Sequence, residues 1–206
     1  MAKYIDLSYT IEEGLAVHPY DEALKLSRSK FLVGDGFNDS RFDSGMHVGT
    51  HIDAPSHMTT RESFISDYLP ERFIGKACLL DVRNQALIEM QDAYHDRVSA
   101  DDIVLLYTGF DSQFGSDTYF EAHPVIEEAL AAFFIEKRVK MVAMDMPSPD
   151  RWPFDIHKML LDQDILIMEN LRGLGALLDC DAIEIIALPM KIKAEGSPVR
   201  VVAKVE

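Results

Sequence analysis

The stretch His47-Val48-Gly49-Thr50-His51-Ile52-Asp53-Ala54-Pro55-Ser56-His57 gathers three of the chain's seven histidines and a carboxylate into one short run. On a helix His47 and His51 would share a face, but Gly49, Pro55 and the β-branched Val48, Thr50 and Ile52 all oppose helix. The segment therefore reads as extended. With a period of two, His47, Gly49, His51 and Asp53 point to one side, and Val48 and Ile52 point to the other, apolar side. A straight strand would hold the α-carbons of His47 and His51 roughly 13 Å apart, too far for them to share one ion. The chain must then bend, and Gly49 is where a bend costs least. Pro55 ends the strand and turns His57 back toward the same place. Imidazoles and a carboxylate crowded on one face need a cation to satisfy them, and borderline divalent metals take these donors.

Through this stretch the first third of the sequence reads as short strands at about residues 4–7 and 24–31 and as further segments around 40–53, separated by turn signals such as Gly34-Asp35-Gly36. After residue 75 short runs rich in Val, Ile and Leu at 77–82, 103–107 and 139–144 predict strands buried on both faces. An amphipathic helix is expected between the last two, with Pro124 near its start and Ile126, Leu130, Phe133 and Phe134 on one stripe. A short helix at 155–161 and strands at 165–168, 183–189 and 199–205 complete a mixed α/β reading. With no internal repeat and no linker rich in Gly, Ser or Pro, residues 1–206 read as one domain.

Composition narrows the partners. The 20 Lys and Arg against 35 Asp and Glu give a formal charge of −15, and no basic run offers a grip on nucleic acid or an anionic membrane. The apolar run at 129–135 falls far short of the roughly 20 residues that span a bilayer. The N-terminus reaches Asp6 before an apolar h-region can form, and Cys78 and Cys180 sit in apolar runs as inert buried thiols would. A reduced, cytoplasmic setting is expected. Neither G-x-S-x-G nor H-E-x-x-H occurs, and the Gly34/Gly36 and Gly173/Gly175 pairs lack the third glycine of a dinucleotide loop.

The H-x-G-T-H-x-D-x-P-x-H pattern from His47 to His57 resembles the signature of the metal-dependent cyclase hydrolases, which include bacterial kynurenine formamidases and isatin hydrolases. The resemblance continues through Ile5-Asp6-Leu7-Ser8, Leu106-Tyr107-Thr108-Gly109-Phe110, Asp145-Met146-Pro147-Ser148-Pro149-Asp150 and Gly196-Ser197-Pro198-Val199-Arg200. His157 and Glu169-Asn170-Leu171 match the family's later His and E-N-L triplet. By this resemblance His47, His51 and Asp53 would ligate a first metal, Asp53 would bridge to a second, and His157 and Glu169 would complete the site. Zinc or manganese, one or two ions per chain, is implied. So are a β-barrel-like core with flanking helices, a homodimer or homotetramer, and hydrolysis of a C–N bond in a small-molecule amide such as an aryl formamide or a cyclic amide like isatin. Metal-activated water would attack the carbonyl, with His57 as the family's proton donor and acceptor.

The loop ahead of the signature departs from the formamidase pattern, Trp-Pro-Gly-Asp, by reading His18-Pro19-Tyr20-Asp21. His18 is then either a polar substrate contact or an exposed loop residue, and Tyr20 could supply the missing ring. Trp152 is either a pocket wall or core packing. Arg200 could bind a substrate carboxylate or pair with one of the chain's many acids. His95 and His123 have no partners by spacing and are expected on the surface. A metal-dependent binding protein without turnover is the other reading. The presence of both His57 and Glu169 favours the enzyme.

Overall fold

The computed structural model describes residues 2–205. Its strands run in chain order as β1 (Lys3–Asp6), β2 (Lys25–Lys30), β3 (Asp39–Asp43), β4 (His51–Asp53), β5 (Ile74–Asp81), β6 (Leu87–Ile88), β7 (Ile103–Tyr107), β8 (Val125–Ile126), β9 (Met141–Met144), β10 (Leu166–Glu169), β11 (Ile183–Ile186), β12 (Gly196–Pro198) and β13 (Val202–Val205). Nine of them form one sheet in the order β1-β13-β11-β5-β7-β9-β10-β4-β12. It is parallel through β5, β7, β9 and β10 and antiparallel toward both ends.

Chain connectivity forces this sheet to curl. In a flat sheet the seven spacings between β13 and β12 would put them about 34 Å apart. Only residues 199–201 join Pro198 to Val202, and four α-carbon steps reach about 15 Å at most. The two ends are therefore drawn together into a half-barrel, and the short link carries both ladders onward, β1–β13 through the bond from Leu7 N–H to Val201 O and β12–β4 through that from Val199 N–H to Thr50 O.

Strand alternation then divides the apolar residues into two cores. Ile103 and Leu105 of β7, Met141 and Ala143 of β9, and Leu166 and Met168 of β10 fill the concave side. Their neighbours Val104, Leu106, Val142, Met144 and Ile167 face the convex side, where the helices Glu128–Lys137 and Asp155–Asp162 cover them with Leu130, Phe134, Leu160 and Leu161. Strands this apolar on both faces need both layers. No helix among the described residues is long and apolar enough to cross a membrane.

Several expected boundaries move. Ile126 belongs to β8, which pairs with β6, so the helix starts at Glu128 rather than near Pro124. The short segments expected around 40–53 are β3 and β4, and they belong to different sheets: β2 and β3 form a separate exposed hairpin, and pairing resumes at His51. The strands at the end shorten to β11 and β13, with Pro189 and Val199 making an isolated bridge between them, as a proline without an N–H cannot continue a ladder. Cys78 is buried as expected, whereas Cys180 is only half-buried.

Candidate metal centre

The β10–β4 register places Glu169 opposite His51, Met168 opposite Ile52 and Ile167 opposite Asp53. Ile52 and Met168 fill the concave core, so alternation turns His51, Asp53 and Glu169 to the convex side. All three are buried. Gly49 has φ +58°, a left-handed conformation that favours glycine. The bend there returns His47, which lies outside the strand, until its Nδ1 is 2.7 Å from Asp53 Oδ1. Pro55–His57 forms a tight turn that stacks the His57 ring 4.0 Å from that of His47 and 6.2 Å from that of His157. His157 comes from the first turn of the helix Asp155–Asp162, where Asp150 accepts the Ile156 N–H at 2.6 Å.

Two buried imidazoles have one nitrogen already committed. His51 Nδ1 lies 2.8 Å from Gly49 O and donates its hydrogen there, because a carbonyl only accepts. His157 Nδ1 is 2.6 Å from Asp150 Oδ1. Each Nε2 is left facing carboxylates: His51 Nε2 stands 3.3 Å from Glu169 Oε2 and 3.5 Å from Asp53 Oδ1, and His157 Nε2 stands 3.1 Å from Glu169 Oε1. Such an arrangement repels itself unless a proton or a metal ion sits between the atoms.

Charges follow this geometry. Burial by itself would lower His51 and His157, but the facing carboxylates outweigh it and raise them to about 9 and about 10. Burial would likewise raise Asp53 and Glu169, yet the surrounding imidazoles hold both below the usual carboxylate range. Asp53 Oδ2 and His47 Nε2 remain buried without a hydrogen bond among the described residues, with Glu195 Oε1 3.5 Å from the latter. His47, His51 and Asp53 form one set of donor atoms within 4.8 Å of one another, and Asp53, His157 and Glu169 form a second. Two unsatisfied buried atoms and two donor sets sharing Asp53 fit a divalent cation.

The Cyclase family model matches residues 5–151. The chain belongs to that family. A kynurenine formamidase of Bacillus mycoides is 30% identical to this cyclase-family chain over 98% of each. A protein of Methanocaldococcus jannaschii described as uncharacterized is 32% identical over 90% of this chain and 91% of its own. Isatin hydrolase A from Ralstonia solanacearum shares the fold, with a TM-score of 0.88 at 23% identity over 100% of this chain and 92% of that one.

Beside the donor sets the cyclase-family chain opens a cavity of about 510 Å³, lined among others by His18, Tyr20, His57, Phe120, His123 and Trp152. His18 and Tyr20 are thus at the cavity, Tyr20 being 94% exposed. Trp152 is at its mouth and 84% exposed, which rules out core packing. Arg200 is not brought there: it points to solvent and pairs with Asp6 at 2.8 Å, so its alternative as a partner of the chain's own acids is the one the fold realises. His123, expected on the surface, is buried. Pattern reasoning missed it because the turn that buries it is made by the short β6–β8 pairing. It also missed the role of Asp150, whose signal was an acid shortly before a helix start, and that of Asn170, which accepts from Tyr119 Oη at 2.8 Å and donates to Gly49 O at 3.1 Å, bracing the bend.

Proposed function

We propose that the protein is a metal-dependent hydrolase that cleaves the C–N bond of a small-molecule amide, with zinc or manganese, one or two ions, held by His47, His51, Asp53, His157 and Glu169. The observation that carries this reading is the convergence of those five side chains beside a cavity that His47, His51, His157 and Glu169 line together with His57. A bound divalent ion would supply a Lewis acid for the carbonyl and a water acidic enough to act near neutral pH.

The chain's own groups do the rest. The His57 ring makes no hydrogen bond to any described residue, and it lies 4.0 Å from the ring of His47 and 6.2 Å from that of His157. Burial, together with the two neighbouring imidazoles and against the pull of Asp53, lowers its pKa, so the ring is neutral at pH 7 and able to take a proton. It would pass that proton to the leaving nitrogen. Asp150 and Gly49 O fix the tautomers of His157 and His51, so both present Nε2 inward. The kynurenine formamidase relatives support an aryl formamide as substrate; a cyclic amide of the isatin kind is the neighbouring possibility in the same reaction class. The reading includes a cytoplasmic setting and a homodimer or homotetramer, which would cover the Phe31, Leu32, Val33 and Phe37 side chains left exposed around the β2–β3 hairpin.

The test is metal analysis followed by a hydrolysis screen with N-formylkynurenine, formanilide, isatin and aliphatic amides. Bound metal and turnover of at least one amide are expected, and His57→Ala should keep the metal and lose turnover. Parent-rate hydrolysis by His57→Ala would remove the role given to that residue. Binding of an amide without product would leave a binding protein instead.

A further inference from the structure

The reaction outlined above makes no use of His123, a buried imidazole that lines the same cavity. Its Nδ1 is 2.8 Å from Pro124 O, and because a carbonyl can only accept, the hydrogen is on Nδ1. In the neutral ring Nε2 is therefore a bare acceptor. It receives no hydrogen bond among the described residues, and it is not among the fully enclosed unpartnered atoms, so it opens on the cavity.

Its position is fixed from both sides. The Arg151 guanidinium donates to the His123 carbonyl, and Val125 N–H donates to Ala86 O where β8 begins. Burial, with the Arg151 charge adding to it and against the bond to Pro124, keeps the ring's pKa below the usual imidazole range, which preserves the acceptor at neutral pH. His18 lines the same cavity, and its Nδ1 accepts from Tyr20 N–H at 3.4 Å. Phe120 lies against His18, ring centroids 5.4 Å apart.

We infer that His123 is a specificity-determining residue whose Nε2 accepts a hydrogen bond from an N–H or O–H carried by the substrate beside its scissile amide. This rests on the amide-hydrolase reading for what the donor is attached to, whereas the acceptor itself rests on the geometry of His123. The preferred substrates are thus amides bearing a donor substituent, and analogues lacking it are discriminated against because the acceptor is left unpaired.

Two measurements separate this inference from the reading beneath it. With the metal-loaded protein, kcat/KM is compared for formanilide and its hydroxy-substituted isomers. At least one isomer should exceed formanilide by about tenfold, mainly through KM, as one hydrogen bond near a buried acceptor gives. His123→Phe should bring that ratio to within about twofold, while His123→Gln, which retains an acceptor, should keep part of it. With chelated protein, which does not consume the probe, the same isomer should shift the ¹⁵N resonance of His123 Nε2 and leave Nδ1 in place. Absence of that shift, or a preference unchanged in His123→Phe, overturns the inference. A shift without hydrolysis of any formanilide overturns the proposed reaction and sustains the acceptor.

Discussion

Glu169 stands directly opposite His51 across the β10–β4 ladder, and its carboxylate is divided between two rings: Oε2 lies 3.3 Å from His51 Nε2 and Oε1 lies 3.1 Å from His157 Nε2. One strand pairing and one helix start thus meet at a single side chain. Asp53 has a similar double role, since it belongs to both donor sets. The site is therefore held together by carboxylates that would repel each other if nothing positive lay between them.

Asp53→Ala should abolish metal binding altogether, because each donor set needs that residue. His47→Ala touches only one set. If two ions bind, His47→Ala should retain one per chain; if one ion binds at His47, His51 and Asp53, it should retain none. Metal content of the purified variants, measured by mass spectrometry, decides between them. Full occupancy in Asp53→Ala would exclude the shared-carboxylate arrangement.

Asp150→Asn tests the group that orients His157. The acceptor for the Ile156 N–H is preserved in the amide, so the helix start should survive, but the charge that fixes His157 Nδ1–H is lost. Removing such an outer partner costs about 10–100-fold in metal affinity. Competition with a chelator measures the change, and parent affinity in the variant would show that Asp150 serves the helix alone.

The metal-free protein should carry protons where the metal would sit. His51 and His157 are raised to about 9 and about 10 despite burial, by the carboxylates facing them. A raised folded value contributes stability that is complete below the ordinary value near 6.5 and disappears as pH rises through 9 to 10. Asp53 and Glu169 are lowered, so their contribution is present above about 4 to 4.5 and is lost as pH falls. Chelated protein should therefore melt lower at pH 10 than at pH 7. Metal binding at pH 7.5 should release protons, and its affinity should rise toward pH 9. Calorimetry in two buffers of different ionisation enthalpy reads the release directly. Identical binding heats in both buffers would mean that the rings are already neutral.

How far the sequence was legible follows from how local each determinant is. The polar face of His51 and Asp53 and the apolar face of Ile52 were readable because side-chain alternation needs only the strand itself. The bend at Gly49 was readable too, since a glycine among β-branched residues is where the chain yields. The buried strands β5, β7 and β9 announced themselves by composition. By contrast, the short β6–β8 pairing that buries His123 joins segments far apart in the chain, and nothing in the two residues of either strand marks it. Which of its two alternatives Arg200 would take was not legible for a similar reason: its partner Asp6 lies on β1, and the β1–β13 ladder that sets Asp6 opposite Val202 joins the two ends of the chain. The family pattern supplied Glu169, which spacing alone would have left as a solvated strand end.

Gly196 provides a test of that long-range architecture. In β12 it pairs with Asp53, and Ser197 pairs with Ile52. A Cβ at position 196 would stand 2.7 Å from His47 Cε1, 3.1 Å from His47 Nε2 and 3.1 Å from Ile52 O. The Ile52 carbonyl belongs to a strand paired on both sides and cannot retreat, so the His47 ring must move. Gly196→Ala is thus expected to displace a candidate ligand while costing about 1–3 kcal/mol of stability, as overpacking of a tight site does. Metal affinity should fall in Gly196→Ala, and in a His47→Ala background the same substitution should have little further effect, because the ring it strikes is gone. The double-mutant cycle is read from chelator competition and melting curves together. Additive losses in metal affinity would show that Gly196 acts on the ladder and leaves His47 where it is.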